Sequence, residues 1–176
     1  MRIGKIVLEG GILPKRATSG AACFDLYAPE DFYLTPGRQV MNLGVKLQLP
    51  TNMAAIIKSR SGFASRGMKV VVTDWSGQRT VHIDADVLQG VIDADYTGLI
   101  GVILNVHDDC RLKPFIPKGT RVAQMQLVDV PEVEFTQVDT LDETERGDGG
   151  FGHTGTKDIV EQSEKPKKKA GRPRKK

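Results

Sequence analysis

Cysteine is scarce in this 176-residue chain. Its two residues, Cys23 and Cys110, are too few for a disulfide framework or a four-thiolate zinc site, and both are expected as buried thiols. No apolar run approaches the roughly 20 residues that cross a bilayer, so no membrane span is expected. No basic-then-apolar leader opens the chain, which points to an intracellular protein. Aromatics are only 6% of residues, with a single Trp. Long helices are excluded by Pro14, Pro29, Pro36, Pro50, Pro114, Pro117 and Pro131, which recur through the chain.

What is present is short-range alternation. Val45, Leu47 and Leu49 alternate with Lys46 and Gln48, the two-residue period of a half-buried strand. Ala123, Met125 and Leu127 alternate with Gln124 and Gln126, and Val133 and Phe135 with Glu134 and Thr136. Residues 99–104 form a short apolar run, as expected of a strand buried on both faces. Many short strands between turn signals predict an all-β sandwich, jelly roll or barrel. One helical turn is expected at 62–66, closed by Gly67.

Charge is distributed unevenly. Residues 165–176 carry eight Lys/Arg and no acid, whereas residues 1–164 carry 17 basic and 22 acidic residues. The net +3 therefore conceals a body of −5 and a tail of +8, an asymmetry typical of an interaction arm. Three segments follow: a core over 1–136, a glycine-rich arm over 137–155, and a linker with a basic tail over 156–176.

Candidate chemistry is weak motif by motif. Gly147, Gly149 and Gly152 spell G-x-G-x-x-G, but no strand precedes them and no helix follows, so a dinucleotide site is rejected. A glycine loop can instead lie against phosphates, with Arg146 supplying charge and Phe151 a stacking face. Asp93, Asp95 and Gly98 open like a calcium loop, which fails at Thr97 and Leu104. Ser59-Arg60-Ser61-Gly62 offers a guanidinium, hydroxyls and bare N–H groups suited to phosphate, or else a helix N-cap with an exposed Arg. His82, Asp84 and Asp86 alternate as either a metal site or a solvated strand face.

Taken in order, these segments resemble the trimeric dUTPase family over residues 1 to about 155. Its five motifs look like residues 21–28 (AACFDLYA), 59–67 (SRSGFASRG), 90–98 (GVIDADYTG), 118–124 (KGTRVAQ) and 146–155 (RGDGGFGHTG). The resemblance implies a β jelly roll of the β-clip type and a homotrimer with a swapped C-terminal arm. It implies Mg²⁺-dependent hydrolysis of dUTP to dUMP and pyrophosphate by water attack at the α-phosphorus, keeping uracil out of DNA and supplying dUMP for dTMP synthesis. Asp93 matches the general base, a role open to a carboxylate ionised at neutral pH. Asp25 matches the acid that holds the metal through water. Arg60, Ser61, Gly62 and Gln124 match phosphate-binding positions, and Gly90, Val91 and Ile92 the segment that reads the base. Tyr96 matches the ring beneath the deoxyribose that leaves no room for a 2′-hydroxyl. Phe151 matches the ring that stacks on uracil, and Arg146, Gly152 and Thr154 match arm contacts. The implied setting is cytoplasmic, bacterial or phage-like.

The sequence departs from that pattern in two places, residues 68–89 and His153. Residues 68–89 are longer than the usual link between the second and third motifs. The surplus near 74–78 looks like a hairpin tip with an exposed Trp, either ornamental or a partner surface. Val87 falls where the family often carries an Asn that reads uracil, and His153 where it usually carries Ser. Beyond the arm, Arg172, Pro173 and Arg174 lie in a segment that resembles an AT-hook, slim enough for a narrow minor groove. Such a tail predicts DNA contact through 165–176, with generic phosphate binding or a localisation signal as other readings. Two alternatives to the hydrolase are a related dCTP deaminase, disfavoured by Asp93 and Phe151, and a regulatory DNA- or protein-binding module on the same scaffold.

Overall fold

A computed structural model describes residues 2–150. The described chain is almost entirely strand and turn. Its elements are β1 (Lys5–Leu8), β2 (Cys23–Tyr27), β3 (Phe32–Tyr33), β4 (Gly37–Gln48), β5 (Met53–Lys58), α1 (Ser61–Arg66), β6 (Met68–Asp74), β7 (Gly77–Ile83), β8 (Ala85–Leu88), β9 (Gly90–Ile92), β10 (Leu99–Val106), β11 (Phe115–Ile116) and β12 (Arg121–Asp129). They form three four-stranded sheets, ordered β1-β4-β10-β8, β3-β11-β6-β7 and β2-β12-β5-β9. Every pairing is antiparallel, giving a jelly-roll arrangement.

Alternation determines which side chains form the core. In β4, Met41, Leu43, Val45 and Leu47 are buried while Asn42 and Gln48 are exposed. In β12, Val122, Ala123 and Met125 are buried. With Leu26, Ile57, Ile100, Val102 and Leu104 they make one contiguous apolar cluster. Each large aliphatic side chain fully buried there contributes about 1.5–3 kcal/mol.

Three details differ from the sequence reading. β10 is buried on one face only: Ile100, Val102, Leu104 and Val106 point inward, and the residues between them are half-buried. Residues 133–136 form no strand, and Val133 and Phe135 are exposed at 61% and 96%. Alternation makes a strand only where a neighbouring backbone accepts its hydrogen bonds, and no described segment pairs with this one. Of the two thiols, Cys110 is buried and Cys23 only partly so. Burial, and secondarily Asp108 and Asp109, pushes the Cys110 thiol above its usual range.

Residues 68–83 form a regular hairpin, β6–β7, in unbroken register from Met68↔Ile83 to Asp74↔Gly77. At its tip Trp75 is 99% exposed. The Asp74 carboxylate accepts from the Ser76 amide at 2.8 Å, the Ser76 hydroxyl at 2.5 Å and Arg79 Nε at 3.0 Å. The Ser76 hydroxyl, followed by Arg79 and the Ser76 amide, lowers its pKa from 3.8 to about 2. At its base the hairpin is joined to α1 by Gly67. There φ is +81°, and a Cβ would sit 2.5 Å from the Ile83 carbonyl oxygen. Only glycine both adopts that angle and fits that contact.

The chain divides into two compact units, Met1–Val133 and Glu134–Lys176. In the described part of the second, Gly147 N donates to the Thr144 carbonyl at 3.1 Å and Arg146 Nε to the Gly149 carbonyl at 2.9 Å.

Candidate active site

The sheet β2-β12-β5-β9 brings three of the sequence motifs together. Gln124 on β12 lies opposite Asp25 on one side and Lys58 on the other. Directly opposite residues share a face, so Asp25, Gln124 and the end of β5 face the same way. Asp25 is the only buried polar or charged residue among those described.

Two guanidiniums hold Asp25. Arg60 Nε donates to Oδ1 at 3.0 Å, and Arg121 Nη1 donates to Oδ2 at 3.3 Å. The Asp25 side chain is 11% exposed, against 30% for Arg60 and 49% for Arg121. One buried carboxylate therefore organises two partly exposed cations and leaves a local excess of positive charge. Arg60 sits at the N-cap of α1, as one reading expected, but its side chain makes no cap bond and is turned to Asp25 instead of standing exposed.

Arg121 was not singled out from sequence, and its role depends on a bulge. Residues 121 and 124 are three apart, and in a regular strand they would point to opposite faces. The register slips between Arg121 and Ala123, so Arg121 pairs with Tyr27 and Gln124 with Asp25. Tyr27 and Asp25 share a face of β2, and the slip places Arg121 and Gln124 together over it. Gln124 Nε2 then donates to the Ser59 carbonyl at 2.9 Å, tying β12 to the turn before α1. Ser61 and Gly62 open α1, and their N–H groups have no intrahelical acceptor.

The third motif lies elsewhere on the sheet. Gly90, Val91 and Ile92 form β9 and pair with Ile57, Ile56 and Ala55. One further step places Asp93 beside Ala54. Arg60 is six residues beyond Ala54, four within β5 and two past its end in extended backbone, a path of about 20 Å at ~3.3 Å per residue. Within one chain Asp93 and the Asp25–Arg60–Gln124 cluster therefore occupy opposite ends of the β5–β9 pair. Asp93 is exposed and begins a tight turn in which Tyr96 N donates to its carbonyl at 3.2 Å. Tyr96 folds back over Gly98, where a Cβ would lie 2.6 Å from the phenol oxygen, and its hydroxyl donates to the Leu99 carbonyl at 2.9 Å.

Val87 is buried in β8 within the core and cannot present a side chain to a base, whereas Val91 is 56% exposed. Asp86 faces His107, whose Nε2 lies 2.8 Å from its carboxylate. His82 lies on the separate strand β7. No group of three His, Cys, Asp or Glu residues among the described ones is placed to hold a metal ion, so His82, Asp84 and Asp86 do not form one. Phe151, Gly152, His153, Thr154 and the tail residues Arg172, Pro173 and Arg174 lie outside the described residues.

The sequence matches the dUTPase family model over residues 9–85 and 75–155. The chain is 35% identical over 153 residues to the deoxyuridine 5′-triphosphate nucleotidohydrolase of Clostridium tetani, covering 86% of this chain and 94% of that one. It is 37% identical over 145 residues to the protein of that name from Corynebacterium glutamicum, covering 81% and 87%. Its fold is similar to that of a Staphylococcus bacteriophage 80alpha dUTPase solved with dUpNHpp. That likeness has a TM-score of 0.72 and 23% identity, and covers 88% of this chain and 99% of the other.

Proposed function

Because the chain belongs to the dUTPase family and hydrolyses dUTP, we propose that it does so at a site made from more than one copy of itself. The observation that carries this reading is the separation of Asp93 from the Asp25–Arg60–Gln124 cluster along the β5–β9 pair. An acid that activates water must come within hydrogen-bond reach of it, and about 20 Å is far outside that reach. A second subunit presenting its Asp93 to the first subunit's cluster removes the conflict. Exposed apolar side chains at Val40, Val91 and Val130 offer surface for such an assembly, and a homotrimer is the form proposed.

In this mechanism Arg60, Gln124 and the N–H groups of Ser61 and Gly62 bind the triphosphate and orient its α-phosphorus. Asp93 from the neighbouring copy accepts a proton from the attacking water. The oxygen–phosphorus bond forms as the bond to the β-phosphate oxygen breaks, releasing dUMP and pyrophosphate. Tyr96 packs under the sugar, while the backbone of residues 90–92 reads the base. Arg146, Phe151, Gly152 and Thr154 are assigned to closing the site over the base and outer phosphates.

Mg²⁺ suits this site in an indirect role. Both Asp25 oxygens already accept from guanidiniums, which makes direct coordination a poor fit and contact through a bound water a good one. When bound, the ion neutralises phosphate charge. The chain's own contribution is to hold the triphosphate in place and keep Asp25 oriented.

The site is proposed to work in the cytoplasm; no described helix is long and apolar enough to cross a membrane. DNA contact through Arg172, Pro173 and Arg174 rests on the +8 charge of residues 165–176 alone. Removing residues 157–176 tests it: retention on duplex DNA at low salt should be lost while turnover is kept. The primary test is pyrophosphate release with Mg²⁺ from dUTP, dCTP, dTTP and UTP in parallel, with Asp93→Asn as control. Release from dUTP alone is expected, and release from dCTP would overturn the assignment of the base-reading segment.

A further inference from the structure

The inserted hairpin shares a cleft with the phosphate-binding cluster. A cavity of about 150 Å³ is lined by Arg60, Arg66, Lys69, His82, Thr120 and Arg121, together with Gly62 and apolar residues. None of its lining residues is acidic. Arg60 and Arg121 are engaged by Asp25, but among the described residues no carboxylate lies within ion-pair distance of Arg66, Lys69 or His82. Lys69 on β6 and His82 on β7 are direct cross-strand partners and present their side chains on one face. Gly67 fixes that pair beside α1, its missing Cβ standing 3.9 Å from the His82 Cβ.

A concave surface lined by guanidinium, ammonium, imidazole and hydroxyl groups, with no acid, is built for a polyanion. We propose that Lys69 and His82 form a subsite for the pyrophosphoryl end of the substrate, extending the phosphate cradle of Arg60 and Gly62. This inference rests on the proposed function for the identity of the substrate. The Lys69 ammonium and a His82 ring N–H placed there grip the two outer phosphates in the ground state. They also stabilise the charge that gathers on pyrophosphate as it leaves. The hairpin thereby makes the enzyme prefer a triphosphate over shorter phosphate chains.

The test uses the full chain, with inorganic pyrophosphate as the calorimetric probe and dUTP as the kinetic one. The variants are Lys69→Gln with His82→Gln, and Arg79→Gln, which removes a charge from the same hairpin away from this cleft. The double variant should weaken pyrophosphate binding by about tenfold or more, at ~1.4 kcal/mol per tenfold, and raise KM for dUTP, while dUMP affinity holds. Unchanged pyrophosphate affinity in the double variant, or an equal loss in Arg79→Gln, overturns the subsite. So does a wild-type chain that turns over dUTP but binds no pyrophosphate. A wild-type chain that binds pyrophosphate through Lys69 and His82 yet hydrolyses no dUTP upholds the cleft and overturns the proposed function instead.

Discussion

Asp25 and Arg60, 35 residues apart, meet through a hydrogen bond of 3.0 Å in which the aspartate is buried and the arginine only partly so. Removing the acid leaves Arg60 and Arg121 facing each other without their counter-charge. Asp25→Ala should therefore cost about 1–3 kcal/mol, less than the ~3–5 of a fully buried pair because both arginines reach solvent. Urea denaturation measures it, and a change below about 0.5 kcal/mol would mean that water already screens the cluster.

Asp93 has a different character. It is exposed, and none of its side-chain atoms makes a hydrogen bond among the described residues. Asp93→Asn should leave stability within about 0.5 kcal/mol of the wild type and lower kcat by ~10²–10⁴-fold. Thermal unfolding and pyrophosphate release on one preparation check both halves. Retained turnover would remove Asp93 from the proton transfer.

Tyr96 and Gly98 form one unit. A methyl group at Gly98 would lie 2.6 Å from the phenol oxygen and 2.7 Å from Cζ, so Gly98→Ala must swing the ring aside. If the ring is the floor under the sugar, discrimination between dUTP and UTP should fall by about 10–200-fold, the range for one lost steric contact. Tyr96→Phe loses the bond to the Leu99 carbonyl but keeps the ring, and should hold more of that discrimination. Equal ratios of kcat/KM for the two nucleotides in wild type and Gly98→Ala would place the selectivity elsewhere.

Two surface groups titrate in opposite senses. The hydrogen bond to Asp86, aided by the nearby charge of Asp84, raises the pKa of His107 above 6.5. Its contribution to stability is thus fully present below the unfolded value and is lost as pH rises through the raised folded value. Asp74, lowered to about 2, contributes above its unfolded value of 3.8 and loses that contribution as pH falls through about 2. NMR titration should find the His107 midpoint raised, and returned toward 6.5 in Asp86→Asn. An unchanged midpoint in that variant would discount the pair.

Much of the fold was legible because burial imposes a period of two. Val45 and Leu47 on β4 and Ala123 and Met125 on β12 announce themselves by alternation. Val133 and Phe135 alternate just as clearly and pair with no described strand, since periodicity records a disposition to pair and carries no information about a partner. The six-residue helix could be placed between Gly62 and Gly67 because glycine marks its exit. Arg121 was not legible as a partner of Asp25. Its orientation depends on one slipped residue in β12, and a bulge without a glycine leaves no compositional mark. Lys69 and His82 were hidden for a similar reason: thirteen residues apart in sequence, they become neighbours only through the register of a hairpin.

The register of β5 against β9 also has a genetic consequence. Because Ile57 meets Gly90 and Ala55 meets Ile92, each chain carries its Asp93 away from its own Arg60. Lesions at those two positions should then belong to different complementation groups. If the site is shared between copies as proposed, a strain expressing an Asp93 mutant and an Arg60 mutant side by side should regain function through mixed assemblies. Two alleles altered at Arg60 and Gln124, which share one face of a single subunit, do not rescue each other.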